Sequence, residues 1–373
     1  IGKGSEVIAG FATSEGTDAY CRRVGAAPEH FRASGGWRLS SLGIGTYLGG
    51  EDAATDQLYR DAVMSVLELG INVVDTAVNY RHQRSERAIG QALSALITKG
   101  ALRRQEVVVA TKGGFIPFDG TLPQNPGAYF TETYLRPGII RSDDVVAGCH
   151  CMTPRYLADQ LERSRRNLGL ETLDVYYVHN PETQLQEVDR PEFLKRIRDA
   201  FAFLESAVTD GKIGRYGTAT WNGYRQPSSA PDYLSLAELE KIAREVAGEG
   251  HHFRVIQLPY NLAMGEAFTY ANQPVDGETI SLLEAARRLG IYVMASASIY
   301  QGQLARNLPP VLGEHLPGLA TDAQRAIQFV RSTPGVGTAL VGMKRVAHAE
   351  ENGALVKVPP VPWDQFQKFF KEA

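Results

Sequence analysis

The chain has 373 residues, and 39 lysines and arginines stand against 42 aspartates and glutamates. The resulting formal net charge of -3 argues against the broad basic face that nucleic acid or an acidic membrane surface requires. A composition of 43% hydrophobic and 22% charged residues is that of a globular protein with a large core and argues against disorder.

No run approaches the ~18 apolar residues of a bilayer span, so no membrane partner is expected. Cys21, Cys149 and Cys151 are too few for a disulfide framework and fit a reducing compartment. The sequence opens on Ile1 without a charged-then-apolar leader, which gives cytoplasmic as the expected location. Cys149, His150 and Cys151 lack a second ligand pair at zinc-site spacing, and no metal is expected.

In chain order, a Gly/Ser/Ala-rich opening is read as an N-terminal extension over 1–36, followed by one domain over 37–373. Within that domain short apolar runs alternate with segments of helical period. Strands are predicted at 41–47, 71–75, 107–112, 173–179, 214–220, 255–258, 291–295 and 337–341. Helices are predicted at 56–69, 85–96, 154–168, 190–209, 235–246, 277–289, 321–332 and 345–353. Several of the strands are continuous apolar runs, as expected when both faces are covered, and Leu69-Gly70-Ile71 and Leu289-Gly290-Ile291 repeat one helix-stop device. Eight such units predict an α/β fold of the closed (β/α)8 TIM barrel type. The glycine fingerprint of an open dinucleotide-binding sheet fails, because Gly43-Ile44-Gly45-Thr46-Tyr47-Leu48 ends in leucine.

The connection after the third strand, residues 113–153, is far longer than the usual two to six residues of such loops. It carries Phe115, Phe118, Tyr129, Phe130 and Tyr134, and leaves the strand end where barrel active sites form. A substrate-facing lid and an ordered surface excursion or oligomer contact are equally compatible with its sequence.

Asp75, Tyr80, Lys112 and His179 fall at or just beyond the C-terminal ends of predicted strands two, three and four, and a barrel brings such positions together. Singly they read as a helix cap, a packed aromatic, a snorkelling lysine and a core imidazole. Jointly they form a proton-donor apparatus, in which Tyr80 is the acid, Lys112 stabilises its phenolate, Asp75 anchors Lys112, and His179 orients a carbonyl oxygen.

These segments resemble the aldo-keto reductases. Ile71-Asn72-Val73-Val74-Asp75-Thr76-Ala77-Val78-Asn79-Tyr80 is similar to that family's second-strand signature, and Ser85-Glu86-Arg87-Ala88-Ile89-Gly90 to the helix after it. Val109-Ala110-Thr111-Lys112 and Asp174-Val175-Tyr176-Tyr177-Val178-His179 are similar to its lysine and histidine strands. The resemblance covers about 39–355 and implies an NAD(P)H-dependent oxidoreductase that interconverts an aldehyde or ketone and its alcohol, with catalytic Tyr80, Lys112, Asp75 and His179.

It also implies cofactor contacts. These are Gly45, Thr46 and Tyr47 after the first strand, Asn180 beyond the histidine, Gln257 in the sixth strand, and Ser296, Ile299 and Gly302 after the seventh. Gly342, Lys344, His348, Glu351 and Asn352 are similar to the segment that holds the adenosine end, where helix N–H groups favour anions. NADP(H) is the preferred cofactor implied, with NAD(H) as the alternative.

Three features depart from the family pattern. Gly217-Thr218-Ala219-Thr220-Trp221-Asn222 stands where a Ser-Asn pair is usual, leaving Thr220 or Asn222 as substitutes; Ser296 stands where an aromatic stacks on the nicotinamide; and the 113–153 loop and N-terminal extension are additional. The expected partner is a small carbonyl or hydroxyl substrate, and Asn180 tilts the reading toward a sugar. A second reading is a cofactor-binding regulatory subunit resembling the potassium-channel beta subunits, with little turnover. The oligomeric state is not encoded in any motif.

Overall fold

The computed structural model describes residues 7–370. An N-terminal helix, Ser14–Val24, leads into an antiparallel hairpin of β1 (Phe31–Ser34) and β2 (Trp37–Ser40). The barrel strands are β3 (Leu42–Gly45), β4 (Val73–Asp75), β5 (Val108–Gly113), β6 (Leu173–His179), β7 (Ile213–Ala219) and β8 (Phe253–Pro259). A second hairpin, β9 (Ala271–Val275) and β10 (Glu278–Ser281), precedes the last two barrel strands, β11 (Tyr292–Ser296) and β12 (Thr338–Gly342). β3 to β8, β11 and β12 close into one parallel barrel, with Gly342 of β12 beside Gly45 of β3. This is the (β/α)8 architecture expected from the alternation of elements. No helix among the described residues is long and apolar enough to cross a membrane.

Strand alternation sorts the side chains into two cores. Val74, Val109, Tyr176 and Val178 point outward into the layer shared with the helices, while Val73, Val108, Ala110, Val175 and Tyr177 form the barrel interior. Trp37 and Leu39 of β2 and Ala12 join that interior cluster, so the first hairpin plugs one end of the barrel. The Trp37 indole donates to Ala12 O at 2.9 Å, and the Arg215 guanidinium lies 3.7 Å from the Trp37 ring centroid. The expected 36/37 boundary falls between β1 and β2, in the Gly35-Gly36 turn of this hairpin.

Below the plug's edge, buried Asp174 accepts from Arg104 Nη2, Val109 N and Ala12 N, each at 2.7 Å. One carboxylate thereby ties the N-terminal segment to two neighbouring strands.

Two segments differ from expectation. The helix predicted at 277–289 starts only at Leu282, because Asp276 and Gly277 both adopt positive φ and turn the chain through the β9–β10 hairpin. The 113–153 connection is folded rather than loose: Pro126–Phe130 is helical, and Tyr134, Ile140, Cys151 and Tyr156 form a separate small core.

At Gly217 the β7–β8 register shifts, and an added Cβ would lie 1.6 Å from Val255 O. Gly217→Ala therefore requires the barrel backbone to move. Its expected cost is about 3 kcal/mol, read as a lowered denaturation midpoint, and an unchanged midpoint would disprove this steric account.

Candidate active site

The inward-facing positions at the open end of the barrel carry the polar residues. Asp75 ends β4, Lys112 lies near the end of β5, His179 ends β6 and Gln257 lies near the end of β8. Lys112 Nζ donates to Asp75 Oδ2 and to Thr76 O, both at 2.7 Å, and Gln257 Nε2 donates to Asp75 Oδ1 at 2.7 Å. Both charges are thus buried and paired. Burial raises the pKa of Asp75 and lowers that of Lys112, while their contact opposes both shifts.

Tyr80 follows β4 by five residues and reaches over this pair. Its ring centroid lies 4.9 Å from Lys112 Nζ, 5.0 Å from the Tyr47 ring and 5.9 Å from the His179 ring. Burial, and after it the Asp75 charge, push the Tyr80 pKa well above its ordinary value, so the hydroxyl keeps its proton. Burial and the nearby Lys112 hold the His179 pKa well below its ordinary value, leaving a neutral imidazole.

These groups sit at one end of a cleft of about 860 Å³. Asp75, Tyr80 and His179 line it, whereas Lys112 is fully buried behind them. Of the residues expected to hold a cofactor, Gly45, Thr46, Tyr47, Asn180, Thr220, Gln257, Ser296, Ile299 and Gly302 line the same cleft. Its far end is walled by Gly342, Lys344, His348, Glu351 and Asn352.

Asn222 is the exception: it lies outside the cleft wall. The cause is Glu182, a buried carboxylate whose Oε1 accepts from Trp221 N at 2.8 Å, Asn222 N at 3.1 Å and Gly223 N at 3.4 Å. This clamp turns the chain after β7 so that Thr220 and Trp221, not Asn222, face the cleft.

Sequence reasoning did not single out Glu182, and no motif marks it, since its partners are backbone groups about forty residues away. Asn79, Phe115 and Leu48 also line the cleft without having been assigned to it. Asn79 was within reach, because it directly precedes Tyr80 in the second-strand signature. From the whole 113–153 connection only Phe115 reaches the cleft, which fits an ordered excursion better than a lid.

Several cleft residues carry buried polar atoms with no protein partner: His179 Nδ1, Asn79 Oδ1, Thr220 Oγ1 and Asn352 Oδ1. Buried polar atoms without a partner also occur away from the cleft, on Glu182, Tyr176 and Tyr177 among others, and the cleft's own polar lining adds Lys344, Gln257 and Asn180. A dinucleotide fits this donor set. Lys344 has no acidic partner within ion-pair distance among the described residues, and the helix Val346–Gly353 begins beside it. Glu351 is pre-positioned by Thr321 Oγ1, which donates to its carboxylate at 2.7 Å. Among the described residues no group of three or more His, Cys, Asp or Glu is arranged to hold a metal ion.

The geometry defines a barrel with a polar, tyrosine-lined cleft at its strand ends, and comparison with known proteins gives its family. The model of the Aldo/keto reductase family matches residues 41–310, and the chain belongs to that family. It is 26% identical over 285 residues to the NADH-specific methylglyoxal reductase of Escherichia coli, covering 75% of this chain and 69% of that protein. It is 24% identical over 198 residues to a putative voltage-gated potassium channel subunit beta of Schizosaccharomyces pombe, covering 53% of this chain and 46% of that one. Its fold is similar to that of an aldo/keto reductase from Klebsiella pneumoniae solved with NADP and acetate, with a TM-score of 0.60 at 21% identity and coverage of 92% and 96%.

Removing one member of the buried ion pair leaves the other charge uncompensated. Lys112→Met is expected to lower stability by about 3 kcal/mol or more, and adding Asp75→Asn to it should recover part of the loss. Chemical denaturation of the four proteins measures this coupling, and strictly additive losses would show that the pair does not act as a unit.

Proposed function

We propose that this chain is a nicotinamide-dependent carbonyl oxidoreductase in which Tyr80 is the general acid and base, with NADP(H) preferred over NAD(H). The observation that carries the reading is the placement of Tyr80, His179 and the Lys112–Asp75 pair at one end of a cleft whose other end is Lys344 and Asn352. Held along that cleft, a reduced nicotinamide would supply a hydride to the substrate's carbonyl carbon.

The protein's own residues do the rest. Asn352, Glu351, Lys344 and His348 would hold the adenosine end, and Thr220, Asn180 and Gln257 would line the nicotinamide end. Neutral His179 hydrogen-bonds the substrate carbonyl oxygen and fixes its direction toward Tyr80. Tyr80 releases its proton from the phenolic oxygen to that oxygen. The Lys112 ammonium, 4.9 Å from the ring centroid, stabilises the phenolate as it forms, and Asp75 keeps the ammonium in place. Tyr47, Phe115 and Trp221 supply aromatic lining to the cleft.

The NADP(H) preference rests on Lys344 and the adjacent Arg345, which offer cations to a phosphate on the adenosine ribose. The relatives diverge on this point, since one is NADH-specific and another was solved with NADP. For the substrate, the amides of Asn79 and Asn180 beside Tyr47 and Trp221 favour a small hydroxylated carbonyl compound such as a sugar.

Tyr80→Phe should lower turnover of a test aldehyde roughly 100- to 10,000-fold while leaving cofactor affinity within about twofold. Wild-type turnover in that variant would discard the assignment, and cofactor binding without turnover in the unmodified protein would favour the regulatory-subunit reading. Fluorescence titration should show NADPH bound about tenfold more tightly than NADH, with Lys344→Ala erasing most of the difference. Equal affinities in the unmodified protein would remove the preference.

A further inference from the structure

The long connection after β5 returns to the barrel through one residue that the proposed reaction does not use. Its two ends are zipped together just beyond the strand: Ile116 N donates to Cys149 O at 2.8 Å, Cys151 N donates to Gly114 O at 2.9 Å, and Phe115 bridges His150. From this neck the fully buried His150 side chain reaches the end of β6, where its Nε2 lies 2.7 Å from His179 O. That carbonyl sits at the break in the strand, because Asn180 turns into the left-handed region with φ 45. It therefore needs a donor from elsewhere.

A chain of hydrogen bonds fixes which nitrogen of His150 carries the proton. Arg196 can only donate, and its Nη1 lies 2.6 Å from Gln184 Oε1. Gln184 Nε2 is then the donor to His150 Nδ1 at 2.8 Å, so Nδ1 accepts and the proton stands on Nε2, aimed at His179 O. Phe115 is wedged between the two imidazoles, 5.2 Å from the His150 ring and 5.0 Å from the His179 ring, at interplanar angles of 87° and 90°. Gly114 leaves no slack: an added Cβ would lie 2.7 Å from His179 O and 2.8 Å from His150 Nε2.

We infer that His150 is a positioning residue for His179, and that the 113–153 excursion serves to deliver it, together with Phe115, to the end of β6. It acts by locking the last peptide of β6 and, through Phe115, the plane of the His179 ring. The inference rests on the proposed role of His179 in orienting the substrate carbonyl.

The test uses the full chain with His150→Phe, which removes the donor and keeps a ring, and His150→Gln, whose amide can place an N–H near the Nε2 position. With a test aldehyde and saturating reduced nicotinamide cofactor, His150→Phe should lower kcat roughly 10- to 100-fold with cofactor affinity within about twofold, and His150→Gln should restore most of the loss. Wild-type kcat in His150→Phe, or equal loss in both variants, overturns the proposal.

Imidazole nitrogen NMR of the ¹⁵N-histidine-labelled protein provides a readout independent of turnover. In the unmodified chain His150 should be the Nε2–H tautomer, and in His150→Phe the His179 signals should shift or broaden while His150→Gln keeps them in place. If the unmodified chain proves inactive, the function reading falls and these signals alone decide. An Nδ1–H tautomer of His150, or His179 signals indifferent to His150→Phe, overturns the positioning role even if neither variant yields an enzyme to assay.

Discussion

The buried ion pair at the open end of the barrel sets the terms for everything around it. Two opposite charges inside a protein cost several kcal/mol each in lost hydration unless their partners are well placed. Here Asp75 takes one hydrogen bond from Lys112 and one from Gln257, and Lys112 gives a second to Thr76 O. Meeting those demands draws in the strand bearing Asp75, its neighbour bearing Lys112, and β8 on the far side of the barrel. Tyr80 is packed over the cation, its ring centroid 4.9 Å from Lys112 Nζ.

Around this polar centre the neighbouring connections are held by buried side chains rather than by regular structure. Glu182 gathers the backbone N–H groups of residues 221–223, and His150 meets the carbonyl that ends β6. Both supply what the strand ladder cannot once the chain leaves the barrel, since every buried backbone donor and acceptor must find a partner. His179, Asn79, Thr220 and Asn352, which line the cleft, each keep a buried polar atom without a protein partner.

Much of this was legible before any coordinates. The eight strands were readable because buried parallel strands are apolar runs, and the positions of Asp75, Lys112 and His179 at strand ends follow from strand period and length. The proton-donor logic followed from residue types alone. The hairpin β9–β10 was hidden because a helical pattern from Leu282 onward masked the Asp276-Gly277 turn. Glu182 was invisible because its ligands are peptide N–H groups, which have no sequence signature. Of the two substitutes Thr220 and Asn222, the structure puts Thr220 on the cleft, and the carboxylate that holds the backbone of Asn222 belongs to a different connection. His150 was read in its Cys-His-Cys neighbourhood as a metal question, whereas its partners, Gln184 and a main-chain carbonyl, come from the following strand and turn.

The hairpin that carries Trp37 and Leu39 into the barrel interior has a kinetic corollary. With that end stoppered by side chains, the cleft opens to solvent from one side, and whatever lies across the mouth gates whatever lies beneath it. That pole of the barrel is left to packing alone, while the Asp75–Lys112 pair lies at the end that the cleft reaches.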